Sequence, residues 1–111
     1  MIGYRLGAVA LLLALSAAGC LRAQTAVREW SATAEVRGNS AVIRVDVPGW
    51  AMGADYHPHF SLDGGPEVMA YAPVYTFANL KPGMHRVRVV IADPRHTPIA
   101  GMERTLDVEI K

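Results

Sequence analysis

The side chains of this sequence best suited to hold a metal ion are four histidines, His57, His59, His85 and His96, and four methionines, Met52, Met69, Met84 and Met102. Imidazole and thioether together suit copper when no thiolate is present, and imidazole alone also suits zinc. His57-Pro58-His59 is the sharpest piece of the pattern. Residues at i and i+2 of a strand project from the same face, so two imidazoles so spaced can share one ion. Pro58 has no N–H to give a β-ladder, which suits a sheet edge or a bulge, and it biases His57 toward extended backbone. Two ligands make a weak site, and without a third the pair reads as two solvated strand residues. The question is therefore which elements position the other histidines.

From Thr25 onward apolar residues recur with period two and are interrupted by Gly, Pro, Asn and Asp every eight to twelve residues. This rhythm predicts strands over Ala26 to Val36, Ala41 to Val47, His57 to Leu62, Glu67 to Tyr71, Val74 to Leu80, His85 to Ala92 and Arg104 to Ile110. Seven short strands without helical periodicity imply an all-β fold, a single immunoglobulin-like or fibronectin-type antiparallel β-sandwich. The expected core is Ile43, Val45, Val89, Ile91, Leu106 and Val108, with Tyr56, Phe60 and Leu62 inward on the strand that carries the histidine pair outward or toward the rim. In such a sandwich the third and sixth strands run antiparallel side by side. The sixth, from His85 to about Asp93, is roughly 25 Å long at about 3.3 Å per residue. His96 follows its far end in an expected loop Asp93 to Met102 and so meets His57 and His59. His85 sits at the wrong end and is expected to pack or cap. Met52 and Met102 reach the His96 end as further candidate ligands, Met84 lies with His85, and Met69 reads as packing. Trp50 and Tyr56 near the same end could anchor a partner surface.

The chain has 111 residues, one domain's worth, and its first 23 read as an export signal. Met1 to Arg5 carries one positive charge, and Leu6 to Ala18 is an apolar run too short to span a bilayer. Ser16-Ala17-Ala18-Gly19-Cys20 allows lipidation at Cys20, although Ala17 stands where Leu is usual; the other reading is cleavage after Ala23. Either way residues 24–111 form a cysteine-free β-sandwich domain in the periplasm or on an outer-membrane lipid anchor, with no transmembrane span. Removing Arg5 and Arg22 leaves nine basic against ten acidic side chains, a net charge of −1, which disfavours a nucleic-acid partner. No phosphate-binding Gly-rich loop, Gly-x-Ser-x-Gly elbow or His-Glu-x-x-His helix is present, so no catalytic residue is assigned and an enzyme is not expected. A blue-copper centre is excluded because it needs a thiolate.

Three segments together, His57-Pro58-His59-Phe60-Ser61-Leu62-Asp63-Gly64, Leu80-Lys81-Pro82-Gly83-Met84-His85-Arg86-Val87 and Ala92-Asp93-Pro94-Arg95-His96, resemble small exported bacterial immunoglobulin-like β-sandwich domains of uncharacterised function. Those domains carry His-x-His before one strand, Pro-Gly-x-His before another and Asp-x-x-His after it. The resemblance supports fold and compartment and carries no activity with it. The sequence thus leads to a non-catalytic cell-envelope module that binds a partner or is structural. Its alternative is a periplasmic copper or zinc protein using His57, His59 and His96.

Overall fold

Alternation along the chain decides which residues face inward. In β2 (Ser40–Asp46), Ala41, Ile43 and Val45 are buried while Arg44 and Asp46 are exposed, and Val47 continues the buried parity. β2 lies between β1 (Ser31–Arg37) and β5 (Val74–Phe77) in a three-stranded antiparallel sheet. The second sheet has the order β4-β3-β6-β7, from β4 (Val68–Met69), β3 (His57–Leu62), β6 (Gly83–Ala92) and β7 (Pro98–Ile110), again all antiparallel. The computed structural model describes residues 28–111. The expected export segment, Cys20, both expected cleavage points and the first residues of the expected opening strand lie outside them. Among the described residues no helix is long and apolar enough to cross a membrane.

The core lies between the two sheets. Ile43, Val45, Val89, Ile91 and Val108 are buried as their parity requires, and Leu106 packs against them half-buried. Phe60 of β3 is fully buried and stacks on Tyr75 of β5, with ring centroids 5.2 Å apart, which ties one sheet to the other. Each such side chain contributes about 1.5–3 kcal/mol when withdrawn from water. Trp30, just before β1, closes one margin of the core beneath the Arg104 guanidinium, which lies 4.5 Å over its ring and donates to its carbonyl oxygen.

Two departures from the sequence reading bear on the histidines. Pro58 suggests an edge strand, yet β3 is internal, paired to β6 on one side and β4 on the other. The Pro58 carbonyl accepts from the N–H of Ala70, so its donor-less nitrogen faces the β4 side as well. The ladder on that side can lose a bond there because β4 ends at Met69. The second departure is the expected ten-residue loop Asp93 to Met102, which contracts to residues 93–97. Asp93 Oδ1 accepts from the N–H groups of both Arg95 and Thr97, and the Asp93 N–H donates to the Thr97 carbonyl. Pro94 presets the turn, which closes with the His96 N–H on the Asp93 carbonyl. β7 therefore starts at Pro98, opposite Ala92, and takes up the excess length as a register shift between Val90 and Ala92, where Gly101 adopts φ 79°.

Candidate metal centre

In β3 the register pairs His59 with Val90 and Phe60 with Val89, and paired residues share a face. The strand thus sends Phe60 into the core and His57 and His59 to the outer face of the sheet. His57 nevertheless has 0% of its surface exposed and His59 is only half-buried, so the expectation of solvated strand residues fails. The outer face is covered here by Tyr71, whose ring centroid lies 4.9 Å from that of His57, and by the hairpin that carries His96.

The pairing of His57 with Ala92 at the end of β6 brings His96 in. His57 Nε2 lies 2.9 Å from His59 Nε2 and 3.0 Å from His96 Nδ1, and the three nitrogens lie within 4.8 Å of one another. An ion with bonds of about 2.0–2.1 Å separates its ligand atoms by roughly 2.9–3.4 Å for angles from 90° to tetrahedral. The two spacings sit at the lower end of that range. His96 occupies the left-handed region at φ 68°, where a non-glycine residue costs roughly 1–2 kcal/mol.

Proton counting shows what the cluster lacks. Glu67 Oε1 is 3.0 Å from His59 Nδ1, and because an ionised carboxylate only accepts, Nδ1 carries the hydrogen and Nε2 presents a lone pair to the centre. His57 Nε2 has one in-plane position, a proton or a lone pair, to offer both His59 Nε2 and His96 Nδ1, so only one of the two contacts is a well-formed hydrogen bond. A cation satisfies all three at once provided that His59 Nε2 and His96 Nδ1, the third pair, stand no more than about 4.2 Å apart, twice the bond length. Burial, then the neighbouring His59 and His96, push the His57 pKa below its ordinary value, so His57 is a neutral donor at neutral pH. Its Nδ1 is buried without a partner, so a ligand bond at Nε2 leaves an unpaired N–H costing about 1–3 kcal/mol.

Glu67, which the sequence reading passes over, fixes the His59 ring as outer-sphere carboxylates orient metal-bound imidazoles. It is placed in turn by Arg88, 3.6 Å away, whose guanidinium is held bidentate by Glu103 at 2.7 and 2.9 Å. The available signal was the alternation Glu67, Met69, Tyr71 on a strand pairing back onto β3.

Met102 is 1% exposed in the core and Met52 packs against that core, so both lie inside the sandwich whereas the histidines occupy the outer face. Met102 is thus separated from the trio by the sheet itself, and Met52 is engaged with the core. Met69, expected to pack, is instead 44% exposed on the outer face. His85 stands apart and caps two turns: Nδ1 lies 2.7 Å from Asp63 Oδ2 and Nε2 2.6 Å from the Lys81 carbonyl. Both partners accept, so only the imidazolium form of the ring can donate to both at once, and the Lys81 carbonyl first, then Asp63, raises its pKa.

Comparison with family models and with curated proteins found no match. In structure the chain is similar to the PKD1 domain of the Vibrio cholerae metalloprotease PrtV, with a TM-score of 0.51 and 13% identity over 74% of this chain and 94% of that one. It is also similar to the PKD1 domain of Vibrio anguillarum Epp, with a TM-score of 0.53 and 10% identity over 77% of this chain and 94% of that one. At these identities the likeness speaks to fold alone, and with the two antiparallel sheets it makes the described residues an immunoglobulin-like β-sandwich.

Proposed function

We propose that the protein is a non-catalytic module of the bacterial cell envelope that binds a transition-metal ion, copper or zinc, through His57 Nε2, His59 Nε2 and His96 Nδ1. The observation that carries this reading is the convergence of three imidazole nitrogens whose mutual hydrogen bonds cannot all be made. Two side chains come from one strand and the third from a hairpin 39 positions away in sequence, on a backbone conformation that histidine adopts at a cost. The outer-sphere Glu67 supports the same reading. The expectation that residues 1–23 are an export signal supports a place in the envelope, where the protein would buffer or deliver the ion.

Titration calorimetry of protein without a polyhistidine tag tests it. The wild type is expected to bind one copper or zinc ion, and His59→Ala or His96→Ala to abolish stoichiometric binding. His85→Ala should keep the binding and lower stability, because its ring serves the turns. Wild-type affinity weaker than about 100 μM, within reach of scattered surface histidines, overturns the reading and leaves a module without a metal.

A further inference from the structure

The segment from Glu67 to Tyr71 forms one wall of the histidine centre. Its register places Met69 opposite His59 and Val68 opposite Phe60, so Glu67, Met69 and Tyr71 alternate onto the outer face. The two ends of this triplet touch the trio, Glu67 at 3.0 Å from His59 Nδ1 and Tyr71 with its ring centroid 4.9 Å from that of His57. Met69 lies between them, and side chains directly opposite in antiparallel strands have Cβ atoms about 4.5–5.5 Å apart. Resting on the reading of the trio as a metal centre, we propose that the Met69 thioether is its fourth ligand and that it makes the centre select copper(I) over zinc(II).

Three observations support this. Met69 is 44% exposed and contributes nothing to the core cluster, whereas Met102 is a core residue and Met52 packs against that core. An unbranched apolar side chain left half in water opposite His59 has a use for its sulfur, and its three rotatable bonds let the sulfur swing toward the trio. The second concerns donor type. Thioether is a soft donor that favours copper(I), while zinc takes imidazole, carboxylate or thiolate. No cysteine lies beyond Cys20 to offer a harder-binding sulfur. The third concerns charge. His57 is fully withdrawn from water, and four neutral ligands around copper(I) leave a net charge of one rather than two in that partly desolvated place.

Met84, 64% exposed beside His85 at the opposite end of the sheet, supplies the control. The full chain, its Met69→Leu variant and its Met84→Leu variant are titrated separately with copper(I), kept reduced by ascorbate against a chromogenic copper(I) chelator, and with zinc(II). Leucine nearly matches methionine in volume and Met69 is outside the core, so apo melting temperatures should agree among the three. Met69→Leu is expected to lose about tenfold or more in copper(I) affinity and to leave zinc affinity within about twofold, with Met84→Leu like the wild type in both. X-ray absorption of the copper(I) form should show a sulfur neighbour that Met69→Leu lacks. Copper(I) binding unchanged in Met69→Leu, or a copper(I) form without a sulfur neighbour, overturns the proposal while leaving the three-histidine centre in place. A wild type that binds neither ion overturns both.

Discussion

His96 couples the backbone of the β6–β7 hairpin to the proposed centre, and substitution there separates the two contributions. At φ 68° any residue with a Cβ is strained, so His96→Ala removes the imidazole and keeps the strain, whereas His96→Gly removes both. The left-handed conformation costs a non-glycine residue roughly 1–2 kcal/mol. Glycine offsets about 0.4–1 kcal/mol of that through the greater freedom of its unfolded chain, so the metal-free Gly variant should exceed the Ala variant by about 1 kcal/mol. For a domain of this size about 1 kcal/mol is roughly 4–8 °C in melting temperature. Adding metal at about 100 times its Kd should stabilise the wild type by about 2.7 kcal/mol and both variants by nothing measurable. Thermal melts of the three proteins with and without zinc give all six values. Equal metal-free stability of the Ala and Gly variants would refute the turn argument, and metal-dependent stabilisation retained in either variant would refute the place of His96 in the centre.

Glu67→Ala should lower metal affinity by about 10–100-fold through loss of the fixed His59 ring while shifting the apo melting temperature little, and unchanged affinity in calorimetry would remove Glu67 from the centre. Phe60→Ala should cost about 3–5 kcal/mol in urea unfolding, because the ring is fully buried and stacked on Tyr75 of the other sheet; a loss below about 0.5 kcal/mol would mean the strand faces are inverted. Asp63→Asn probes the distal cap. The His85 pKa is raised in the folded protein, so its contribution is complete below the unfolded value of about 6.5 and is lost as pH rises through the folded value. The Asp63 carboxyl is held below its usual range by the Arg86 N–H and then by His85, so its contribution fades only in acid. The variant should therefore be most destabilised near about pH 6 and approach the wild type above the His85 pKa; a difference that grows toward alkaline pH would refute the imidazolium assignment.

The fold was legible because each strand repeats one local rule. Ile43 and Val45, Val89 and Ile91, and Val108 lie on buried parities that period-two reading identifies without knowledge of partners. The proximity of His96 to His57 and His59 was legible for a second reason: strand adjacency in this architecture fixes which end of β6 meets which end of β3, and the pairing of His57 with Ala92 follows that rule. What parity cannot supply is the cover on the outer face. His57 was readable as outward, but its burial depends on Tyr71 and the 93–97 hairpin, and neither hairpin length nor side-chain reach follows from alternation. Met102, by contrast, shares the parity of Leu106, Val108 and Ile110 along β7, so alternation alone puts it in the core, and it was its place at the His96 end that made it look like a ligand.

β3 does two tasks on one strand because its two faces are independent. Phe60 and its inward neighbours belong to the core, while His57 and His59 meet side chains from the outer segment 67–71 and from the β6–β7 hairpin. A one-residue slip of β3 against β6 would exchange the faces, placing Phe60 in the centre and the imidazoles in the core. The energetic cost of burying two imidazoles without partners, several kcal/mol at about 1–3 kcal/mol for each unpaired group, therefore adds to the apolar preference in fixing the register. The residues that make the proposed centre thus also act against the misfold that would destroy it. A chain with both His57 and His59 replaced by Thr, a good strand former, should lose the centre and retain the sandwich, but with less to separate its native register from the slipped one.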